Sequence, residues 1–375
     1  MMKRETMRTW AEISLGNLEH NYRTLRACAP DSRFLGVVKA NAYGHGAVSV
    51  AKKLQELGAD YLAVACLEEA RELRAAGIWM PILILGATPP DFAGDVVDLD
   101  LTQSVFTREL AQALSDAAGE KGKRAKVHWK VDTGMSRLGV LAQDPVRAAE
   151  EIAAMAALPH LNSEGIFTHF ANADGDEAYT MLQFTRFLDV LKELKDTYGL
   201  EFKIRHCAAS AAVLNYPCTH LDMVRPGIAL YGHYPDPSCE GLDGPGLLPV
   251  MTLKSRVAAV RELPAETPVS YGCTDRFEGE PGRVAVLPIG YADGLHRVLS
   301  NQAMVSVDGL LRPIMGRVCM DMCMIRLEPG DDVRPGDVAE IFGQSVPIEI
   351  IAGQADTIQY ELLCAVSPRV PRLYL

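Results

Sequence analysis

The feature that most constrains the fold is a repeated alternation of short apolar stretches with amphipathic stretches, which continues to about residue 230. The apolar stretches are rich in β-branched and aromatic residues and have the length of a buried strand. Between them lie helical patterns such as Leu15, Leu18, Tyr22 and Leu25, which place one apolar stripe on a helix face and stop before Pro30. The predicted strands are residues 34–38, 61–65, 82–85, 99–105, 126–131, 165–169, 202–207 and 223–225.

Eight strands separated by helices predict a parallel sheet, because each helical crossover returns the chain to the same end of the sheet. The strand count favours an α/β fold with a closed (β/α)8 barrel of the TIM type, and an open doubly wound sheet is the alternative. Polar residues follow the ends of these strands, where barrel active sites are built. These residues are Lys39, Asp132, Arg137, His169, Ser210 and Arg225.

Beyond Leu230 the sequence becomes rich in turns and the helical period fades. Residues 232–237 and 241–246 contain the glycines and prolines typical of a connection between domains. The apolar runs that follow alternate with Pro-Gly and Asp-Gly pairs, which predicts a smaller, mostly β C-terminal domain. These runs are residues 283–289, 303–307 and 319–325.

The length of 375 residues exceeds that of most single domains, so two domains are expected. We predict a barrel domain over residues 1–240 and a β-rich domain over residues 241–375. In an alternative division, the extreme N-terminal strand joins the second domain.

Composition narrows the function classes. A net charge of −11 argues against non-specific binding to nucleic acid or to an anionic membrane surface, since both repel an acidic protein. No apolar stretch follows the basic N-terminal residues, and no later segment is long and apolar enough to cross a bilayer. The nine cysteines include no C-x-x-C pair, and the apolar residues between Cys319 and Cys323 make zinc a poor interpretation. We expect a cytoplasmic protein with reduced thiols, no metal and a small-molecule ligand.

Lys39 directly follows an apolar strand, where a lysine is unfavourable unless it is paired or its pKa falls on desolvation. A lowered pKa is what a lysine that forms a Schiff base needs. Taken alone, Lys39 fits an ordinary solvated lysine at a strand end better. Tyr43, Gly44 and Gly46 then supply a hydroxyl and small residues that permit a ligand to approach the backbone.

The segment from Lys130 to Gly139 ends a strand and then turns on glycines. Arg137 has the planar guanidinium that suits bidentate binding of a carboxylate or oxyanion. Asp132 fits a cap of the following turn equally well. His169 is either a core histidine with backbone partners or, given its place at a strand end, a functional one.

Two segments near the last strands are candidates for phosphate binding. Ser210 precedes small helix-forming residues, so its hydroxyl suits either phosphate binding or an ordinary N-cap. Arg225, Gly227 and Ile228 follow the eighth predicted strand, and barrels often bind phosphate after their seventh and eighth strands. No Walker-type or G-x-G-x-x-G loop is present, so the sequence gives little support to a nucleotide ligand.

These residues lie in motifs that resemble those of alanine racemase, a family of pyridoxal-phosphate enzymes built from a barrel and a β domain. The likeness runs over nearly the whole chain, with modest departures at Cys207, Cys273 and Thr274. The motifs are V-V-K-A-N-A-Y-G-H-G, K-V-D-T-G-M-S-R-L-G, F-T-H-F-A-N-A-D, V-R-P-G-I-A-L-Y-G, V-S-Y-G, G-Y-A-D-G, G-R-V-C-M-D and Y-E-L-L-C.

The resemblance implies that Lys39 holds pyridoxal 5'-phosphate as a Schiff base and serves as one of two acid/base groups. Tyr271 is implied as the other group, contributed by the partner subunit of a head-to-tail homodimer and facing the opposite side of the cofactor. Two such groups suit racemisation, because one removes the α-proton while the other returns a proton. His169 is implied to link Tyr271 to Arg225, which faces the pyridine nitrogen and disfavours its protonation.

The remaining implied roles concern the substrate and the phosphate. Arg137 contacts the cofactor phenolate and the substrate carboxylate, and Lys130 matches a family position that is often carbamylated. Met320 and Asp321 reach the substrate pocket of the partner subunit. By composition alone, Met320 and Tyr360 would instead be core residues. Phosphate binding is implied for Tyr43, Ser210, Gly227, Ile228 and Tyr360.

The expected activity is that of an isomerase that interconverts L- and D-alanine, which in bacteria supplies D-alanine for peptidoglycan. The nearest alternative is a racemase that prefers serine or accepts many amino acids, because pocket size depends on one or two side chains. A barrel-type amino-acid decarboxylase is a more distant alternative, since it must strain the carboxylate that Arg137 is expected to hold. A non-catalytic cofactor carrier is disfavoured by the β domain that bears Tyr271.

Overall fold

The computed structural model of the chain describes residues 6–235 and 246–375, which form two compact units. The barrel unit contains Leu18–Ala42 together with residues 47–235 and 246–248. The β unit contains residues 6–17, Tyr43–Gly46 and Pro249–Leu375. The predicted boundary at residue 240 and most of the predicted connection around it lie outside the described residues.

In the described part of the barrel unit, eight parallel strands pair in chain order, and the eighth pairs with the first. A parallel bridge between Ala209 and Arg225 joins the seventh strand to the eighth, and the Arg225 amide donates to the carbonyl of Ala208 at 2.9 Å. The predicted (β/α)8 barrel is therefore confirmed. Its strands are Arg33–Val37, Tyr61–Val64, Ile82–Ile84, Thr102–Val105, Ala125–Asp132, Leu161–Phe167, Ile204–His206 and Met223–Val224.

The helices of the barrel unit form where the sequence combines an apolar stripe with a cap. Helix Ala47–Leu57 buries its first, fourth, fifth and eighth residues, the spacing of one helix face. Thr107, Asp144 and Asp176 accept backbone N–H bonds at helix N-termini, and Gly199 ends a helix with a φ of 63°. The other helices are Leu15–Cys28, of which the barrel unit contains the residues from Leu18 onward, Leu67–Ala75, Ala93–Asp98, Arg108–Glu120, Pro145–Ala156, Glu177–Tyr198 and Ser210–Asn215.

The β unit contains a six-stranded sheet, so the predicted mostly β domain is confirmed. Strand Thr9–Ile13 lies within this sheet, antiparallel to Met251–Arg256 and parallel to Arg372–Tyr374. Asp308 and Gly309 form a tight hairpin turn with φ of 51° and 77°. The other strands are Ala259–Leu263, Pro268–Val269, Asp275–Arg276, Gly282–Leu287, Met304–Val307, Leu310–Pro313, Cys323–Leu327 and Val338–Phe342, and the helices are Ile348–Gln354 and Gln359–Ala365.

Three predicted strands were misplaced. The fourth barrel strand begins at Thr102 because the amides of residues 99–101 bond back to carbonyls of helix Ala93–Asp98. The sixth ends at Phe167, which leaves His169 beyond it. The predicted strand at 319–325 begins only at Cys323, because the Cys319 amide bonds to the carbonyl of Met322 in a turn. None of the helices in the described stretches is long and apolar enough to cross a membrane.

Candidate active site

Lys39 begins a left-handed turn directly after the first barrel strand. Ala40, Asn41, Ala42 and Tyr43 have φ values of 53°, 54°, 53° and 52°. Left-handed backbone costs an L-residue about 1–2 kcal/mol, so the surrounding contacts must hold this turn in place. Strained backbone of this kind is concentrated at functional sites, which supports a role for the adjacent lysine.

Glu69, which the sequence analysis did not identify as a site residue, stabilises this turn. Glu69 accepts the amide of Ala40 at 2.7 Å with one carboxylate oxygen and the amide of Ala65 at 2.7 Å with the other. The side chain of Asn41 accepts the amide of Ala47 at 2.8 Å. Side-chain acceptors thus replace the bonds that a right-handed helix would make.

Gly44 and Gly46, which follow Lys39, are required by close contacts with other residues of the protein and not by a ligand. Within the β unit, a Cβ on Gly44 would lie 2.2 Å from the carbonyl oxygen of Leu363, and one on Gly46 would lie 1.9 Å from the hydroxyl of Tyr374. Arg372 donates to the carbonyl of Gly44 at 2.9 Å. The prediction that these glycines admit a ligand is wrong, since the C-terminal segment occupies that space.

Four cationic side chains of the barrel unit act on His169. Burial lowers its pKa well below the ordinary value, and the charges of Arg225, Arg137, Lys130 and Lys39 lower it further. The imidazole of His169 is therefore neutral at neutral pH. The structure thus brings together five residues that the sequence predicted from four different strand ends.

Lys130 is the most deeply buried lysine of this group. Burial lowers its pKa to about 8, with help from the nearby cations, while the carboxylate of Asp132 acts in the opposite direction. Its Nζ lies 5.3 Å from the ring centroid of Phe167. With such a pKa, about one tenth of the amine is neutral at pH 7, which is the form that reacts with electrophiles.

Arg225 is buried and makes four hydrogen bonds. One terminal nitrogen, Nη1, donates to Nδ1 of His206 at 2.9 Å. The other, Nη2, donates to the carbonyls of Thr168 and Cys207 at 2.9 and 3.1 Å and to Nδ1 of His169 at 3.2 Å. Burial lowers the pKa of Arg225 to about 10, so the side chain stays charged. Because His169 accepts with Nδ1, its Nε2 carries the proton.

Asp132 caps the turn after the fifth barrel strand, as one of the two sequence interpretations predicted. Its Oδ1 accepts the amides of Gly134 and Ser136, both at 3.0 Å. Gly139 has a φ of 135°, and a Cβ there would lie 2.5 Å from the amide nitrogen of Asp132. The turn carries Arg137, whose side chain is exposed and so accessible to a ligand.

Ser210 and the loop after the eighth strand form one cradle. The cap of helix Ser210–Asn215 is Ala209, so the interpretation of Ser210 as an N-cap is wrong. The Ser210 hydroxyl instead accepts the amides of Gly227 at 2.9 Å and Ala229 at 3.3 Å. The amides of Gly227 and Ala229 therefore converge on the Ser210 hydroxyl, whose own proton can be donated to a phosphate oxygen.

The donor set of the barrel unit fits an anionic, phosphorylated ligand. The described hydrogen-bond partners of Arg225 are all neutral, although the side chain is a buried cation. A buried charge is unfavourable unless an opposite charge compensates it. An anion bound near the cations that act on His169 meets that requirement.

Tyr271 belongs to the β unit and projects from a constrained loop. Its side chain is 71% exposed, which is unusual for so large an apolar ring. Its neighbours Ser270, Gly272 and Cys273 have φ of 64°, 75° and 50°. The Ser270 hydroxyl donates to the carbonyl of Arg317 at 2.6 Å, which anchors the loop. The hydroxyl of Tyr271 is thus presented outward on a fixed backbone.

Met320 and Asp321 also lie at the surface of the β unit. Met320 is 53% exposed, so its interpretation as a core methionine is wrong. The amides of Tyr291 and Ala292 donate to the carbonyls of Cys319 and Met320, both at 3.0 Å. The G-Y-A-D-G motif therefore holds the segment that carries Met320 and Asp321.

The buried carboxylate of Asp293, to which the sequence analysis gave no role, links the G-Y-A-D-G motif to the segment of Asp321. It accepts hydrogen bonds from Arg8 at 2.7 Å, from Arg369 at 2.7 and 3.0 Å, and from the amide of Gly290 at 3.0 Å. Arg369 also donates to Asp321 at 2.7 Å. Burial raises the pKa of Asp293, but the hydrogen bonds from Arg369 and Arg8 outweigh it, and the net shift is downward.

Replacing Asp293 with asparagine is expected to lower the free energy of unfolding at pH 7 by about 1–3 kcal/mol, because the hydrogen bonds from two guanidinium groups lose their charged acceptor. The folded-state pKa is lowered, so this stabilisation exists above the ordinary value and is lost as the pH falls through the folded value. Chemical denaturation at pH 7 and at acid pH should therefore show a difference in free energy of unfolding between the original protein and the variant, and this difference should be smaller at acid pH. Asp332→Asn, the same change in an exposed pair with Arg334, is the control and should leave the free energy of unfolding unchanged.

Tyr43 and Tyr360 lie together in the β unit, with ring centroids 6.1 Å apart. Tyr43 is buried, and burial raises the pKa of its hydroxyl, with a further contribution from Tyr360. Tyr43 therefore keeps its proton and can donate a hydrogen bond to an anion.

Within residues 6–235 and 246–375, no group of three acidic, histidine or cysteine side chains is arranged to hold a metal ion.

Comparison with known proteins covers both units. Residues 13–235 match the family described as alanine racemase, N-terminal domain, and residues 250–374 match alanine racemase, C-terminal domain. An alanine racemase of Desulforamulus reducens is 47% identical over 98% of each chain. The structure of alanine racemase from Clostridium difficile 630 in complex with cycloserine is 38% identical, with a TM-score of 0.92 over 99% of this chain and 96% of that one. That of Bacillus anthracis with bound L-Ala-P is 34% identical, with a TM-score of 0.91 over 98% and 95%.

Proposed function

The chain belongs to the alanine racemase family, and from this premise we propose that it is an isomerase that interconverts L- and D-alanine with pyridoxal 5'-phosphate as cofactor. The observation that carries the proposal is the cluster of Lys39, Lys130, Arg137 and Arg225 around His169 at the carboxyl ends of the barrel strands. We further propose that the protein is cytoplasmic and supplies D-alanine for peptidoglycan.

The cofactor would be held by the residues that converge on the barrel rim. Lys39 would bind it covalently, and Arg225 would face its ring nitrogen as a permanent cation. Ser210, Gly227 and Ile228 would bind the phosphate, as would Tyr43 and Tyr360. When bound, pyridoxal phosphate withdraws electrons from the α-carbon of the amino acid and so acidifies its proton.

The chain itself supplies proton transfer on two sides of the substrate. The Lys39 Nζ would exchange a proton with the α-carbon from one face, and the Tyr271 hydroxyl would do so from the other. A free tyrosine has a pKa near about 10, so a hydrogen-bond donor that stabilises its phenolate form must help it act near neutrality. His169 suits this task, since its Nδ1 accepts from Arg225 and its protonated Nε2 remains free of that bond as a donor.

Arg137 would orient the substrate through its carboxylate. Its exposed guanidinium on a capped turn offers two parallel N–H donors to a carboxylate. Lys130 would steer Arg137 if carbamylated, and the lowered pKa of Lys130 supports this by leaving part of its amine neutral. Holding the carboxylate favours racemisation over the decarboxylase alternative, because decarboxylation requires that group to leave.

We propose a homodimer in which Tyr271, Met320 and Asp321 of each subunit complete the site of the other. The support comes from the surface of the β unit, where Tyr271, Met320 and Met322 are about half exposed or more. Large apolar side chains grouped at a surface are typical of an interface. Arg369 holds the side chain of Asp321 at this surface.

Solvent exchange provides the direct test. The protein, purified with its cofactor and incubated in D2O, is expected to place deuterium at the α-carbon of both L- and D-alanine and to convert each into a racemic mixture. Mass spectrometry measures the deuterium and chiral chromatography measures the enantiomers. Absence of exchange with alanine would refute the proposed substrate.

The same assay separates the alternatives. L-Serine is run in parallel, and exchange faster with serine than with alanine would favour the serine-preferring racemase. Release of carbon dioxide from an amino acid would favour the decarboxylase. A variant without Lys39 serves as the blank for exchange caused by free cofactor in solution.

A further inference from the structure

A line of buried polar groups leads from Arg225 into the interior of the barrel. Nη1 of Arg225 lies 2.9 Å from Nδ1 of His206, and Nε2 of His206 lies 2.9 Å from Nδ1 of His128. Nε2 of His128 lies 3.5 Å from Oε2 of Glu164, to which the hydroxyl of Tyr61 donates at 2.5 Å. Arg225 and both histidines are buried, and Glu164 is partly exposed.

The direction of every bond in this line follows from its first member. A guanidinium only donates, so Nδ1 of His206 accepts and its Nε2 carries the proton. Nδ1 of His128 then accepts, so Nε2 of His128 carries the proton and lies 3.5 Å from the carboxylate of Glu164. This last contact is a charge–dipole interaction and not a hydrogen bond, since Nε2 of His128 has no hydrogen-bond partner among the described residues. The line thus leads through two hydrogen bonds and one close electrostatic contact from the cation of Arg225 to the anion of Glu164.

The charges of the line agree with this assignment. Burial lowers the pKa of His206 well below its ordinary value and also lowers that of His128, so both imidazoles are neutral near pH 7. Burial raises the pKa of Glu164, but the close contact with His128 and the hydrogen bond from Tyr61 outweigh it and hold the value to about 2. The other charged groups that act on these residues are Arg33, on His128 and Tyr61, and Lys126, on Glu164.

The barrel is built to accommodate these imidazoles. A Cβ on Gly165 would lie 2.7 Å from Nε2 of His128, so only glycine leaves room for that ring. The register of the fifth and sixth strands shifts between Val127 and His128. Phe167 stacks on His206 with a centroid distance of 4.7 Å and an angle of 7° between the planes. The rings therefore have little freedom to turn.

From this geometry we propose that Glu164 is a positioning residue that orients and polarises the guanidinium of Arg225 through His128 and His206. The carboxylate makes Nδ1 of His206 a stronger acceptor, which fixes the plane of the guanidinium and leaves Nη2 for His169. The proposal rests on the proposed function where it assigns Arg225 to the cofactor. It extends that function from the rim of the barrel to a carboxylate that lies beyond two buried rings.

Glu164→Gln tests the proposal, because the amide keeps the shape and an oxygen acceptor but removes the charge. In the protein without cofactor, labelled with 15N-histidine, the low-field N–H protons of His128 and His206 are expected to move upfield in the one-bond 1H–15N spectrum. In the loaded enzyme kcat is expected to fall by about 10-fold, the lower end of the usual effect of residues behind a ligand-binding group, while KM changes less than about 2-fold. Glu201→Gln, at an exposed glutamate paired with Lys195, is the control.

Tyr61→Phe separates the effect of the charge from a general disturbance of packing around Glu164. It removes the hydrogen bond that the Tyr61 hydroxyl donates to Glu164 but keeps the charge of Glu164. This variant is expected to leave the signals of His206 and kcat near their original values. Unchanged imidazole signals in Glu164→Gln, or shifted signals with an unchanged kcat, would each overturn the proposal. If the original protein fails to exchange the α-proton of alanine, the proposed function fails, while the spectra of the cofactor-free protein still report on the line.

Discussion

Lys39→Ala is expected to lose the covalently held cofactor and to lower kcat for alanine racemisation by about 10³-fold or more, because one residue serves both as the attachment point and as an acid/base group. Borohydride reduction followed by peptide mass spectrometry should find the cofactor on Lys39 in the original protein and on no lysine in the variant. The visible absorption of the lysine-bound cofactor should disappear with it.

The same experiment distinguishes Lys39 from a neighbour. Lys130 lies in the same cluster and has the lowered pKa of a reactive amine. If reduction traps the cofactor on Lys130 in the original protein, the assignment of Lys39 is wrong. Lys52→Ala removes the same charge from an exposed position of helix Ala47–Leu57 and should behave as the original protein does.

The barrel could be predicted because its strands are buried on both faces and appear as separate apolar runs. The errors came where tertiary contacts decide a boundary. The turn at residues 99–101, whose amides bond back to helix Ala93–Asp98, displaces the start of the fourth strand, and the turn at Cys319 shortens a predicted strand of the β unit. A local apolar pattern does not contain the hydrogen bonds that end an element.

The candidate site was predictable in one respect. Each of Lys39, His169, Ser210 and Arg225 follows a barrel strand, and parallel strands bring their carboxyl ends to one rim. Electrostatic coupling among Lys39, His169 and Arg225 agrees with that placement. The roles of Tyr271, Met320 and Asp321 came only from the family resemblance, and the contacts of the described residues leave those roles as predictions.

The supporting contacts were not predictable, because they join residues far apart in the chain. Arg8 meets Asp293 across 285 positions, and His128 meets His206 across 78. The small size of Gly44 and Gly46 predicts space for a ligand, whereas Leu363 and Tyr374 occupy that space. For Asp293 the sequence does contain one signal, since it is the charged residue of the G-Y-A-D-G motif.

Tyr271→Phe is expected to keep the cofactor and to lower kcat/KM by about 10²–10⁴-fold, the usual contribution of one acid/base group. L- and D-alanine have equal free energy, so kcat/KM must fall equally in the two directions. The asymmetry belongs to solvent exchange: the enantiomer whose α-proton faces Lys39 should still take up deuterium without inverting, while the other should not. Equal loss of exchange for both enantiomers, or loss of the cofactor, would contradict the role of Tyr271. Tyr198→Phe, at an exposed tyrosine on a surface helix, is the control.

The two variants together test the composite site. In a dimer of one Lys39→Ala subunit and one Tyr271→Phe subunit, one site carries both substitutions and the other carries neither, provided that Tyr271 acts on the partner's Lys39. Random reassociation of equal amounts should then restore about one quarter of the original sites, because half of the dimers are mixed and each has one intact site. If Tyr271 acts within its own subunit, every site keeps one substitution and mixing restores nothing. Activity measured before and after the two inactive proteins are mixed therefore decides which chain supplies the second base.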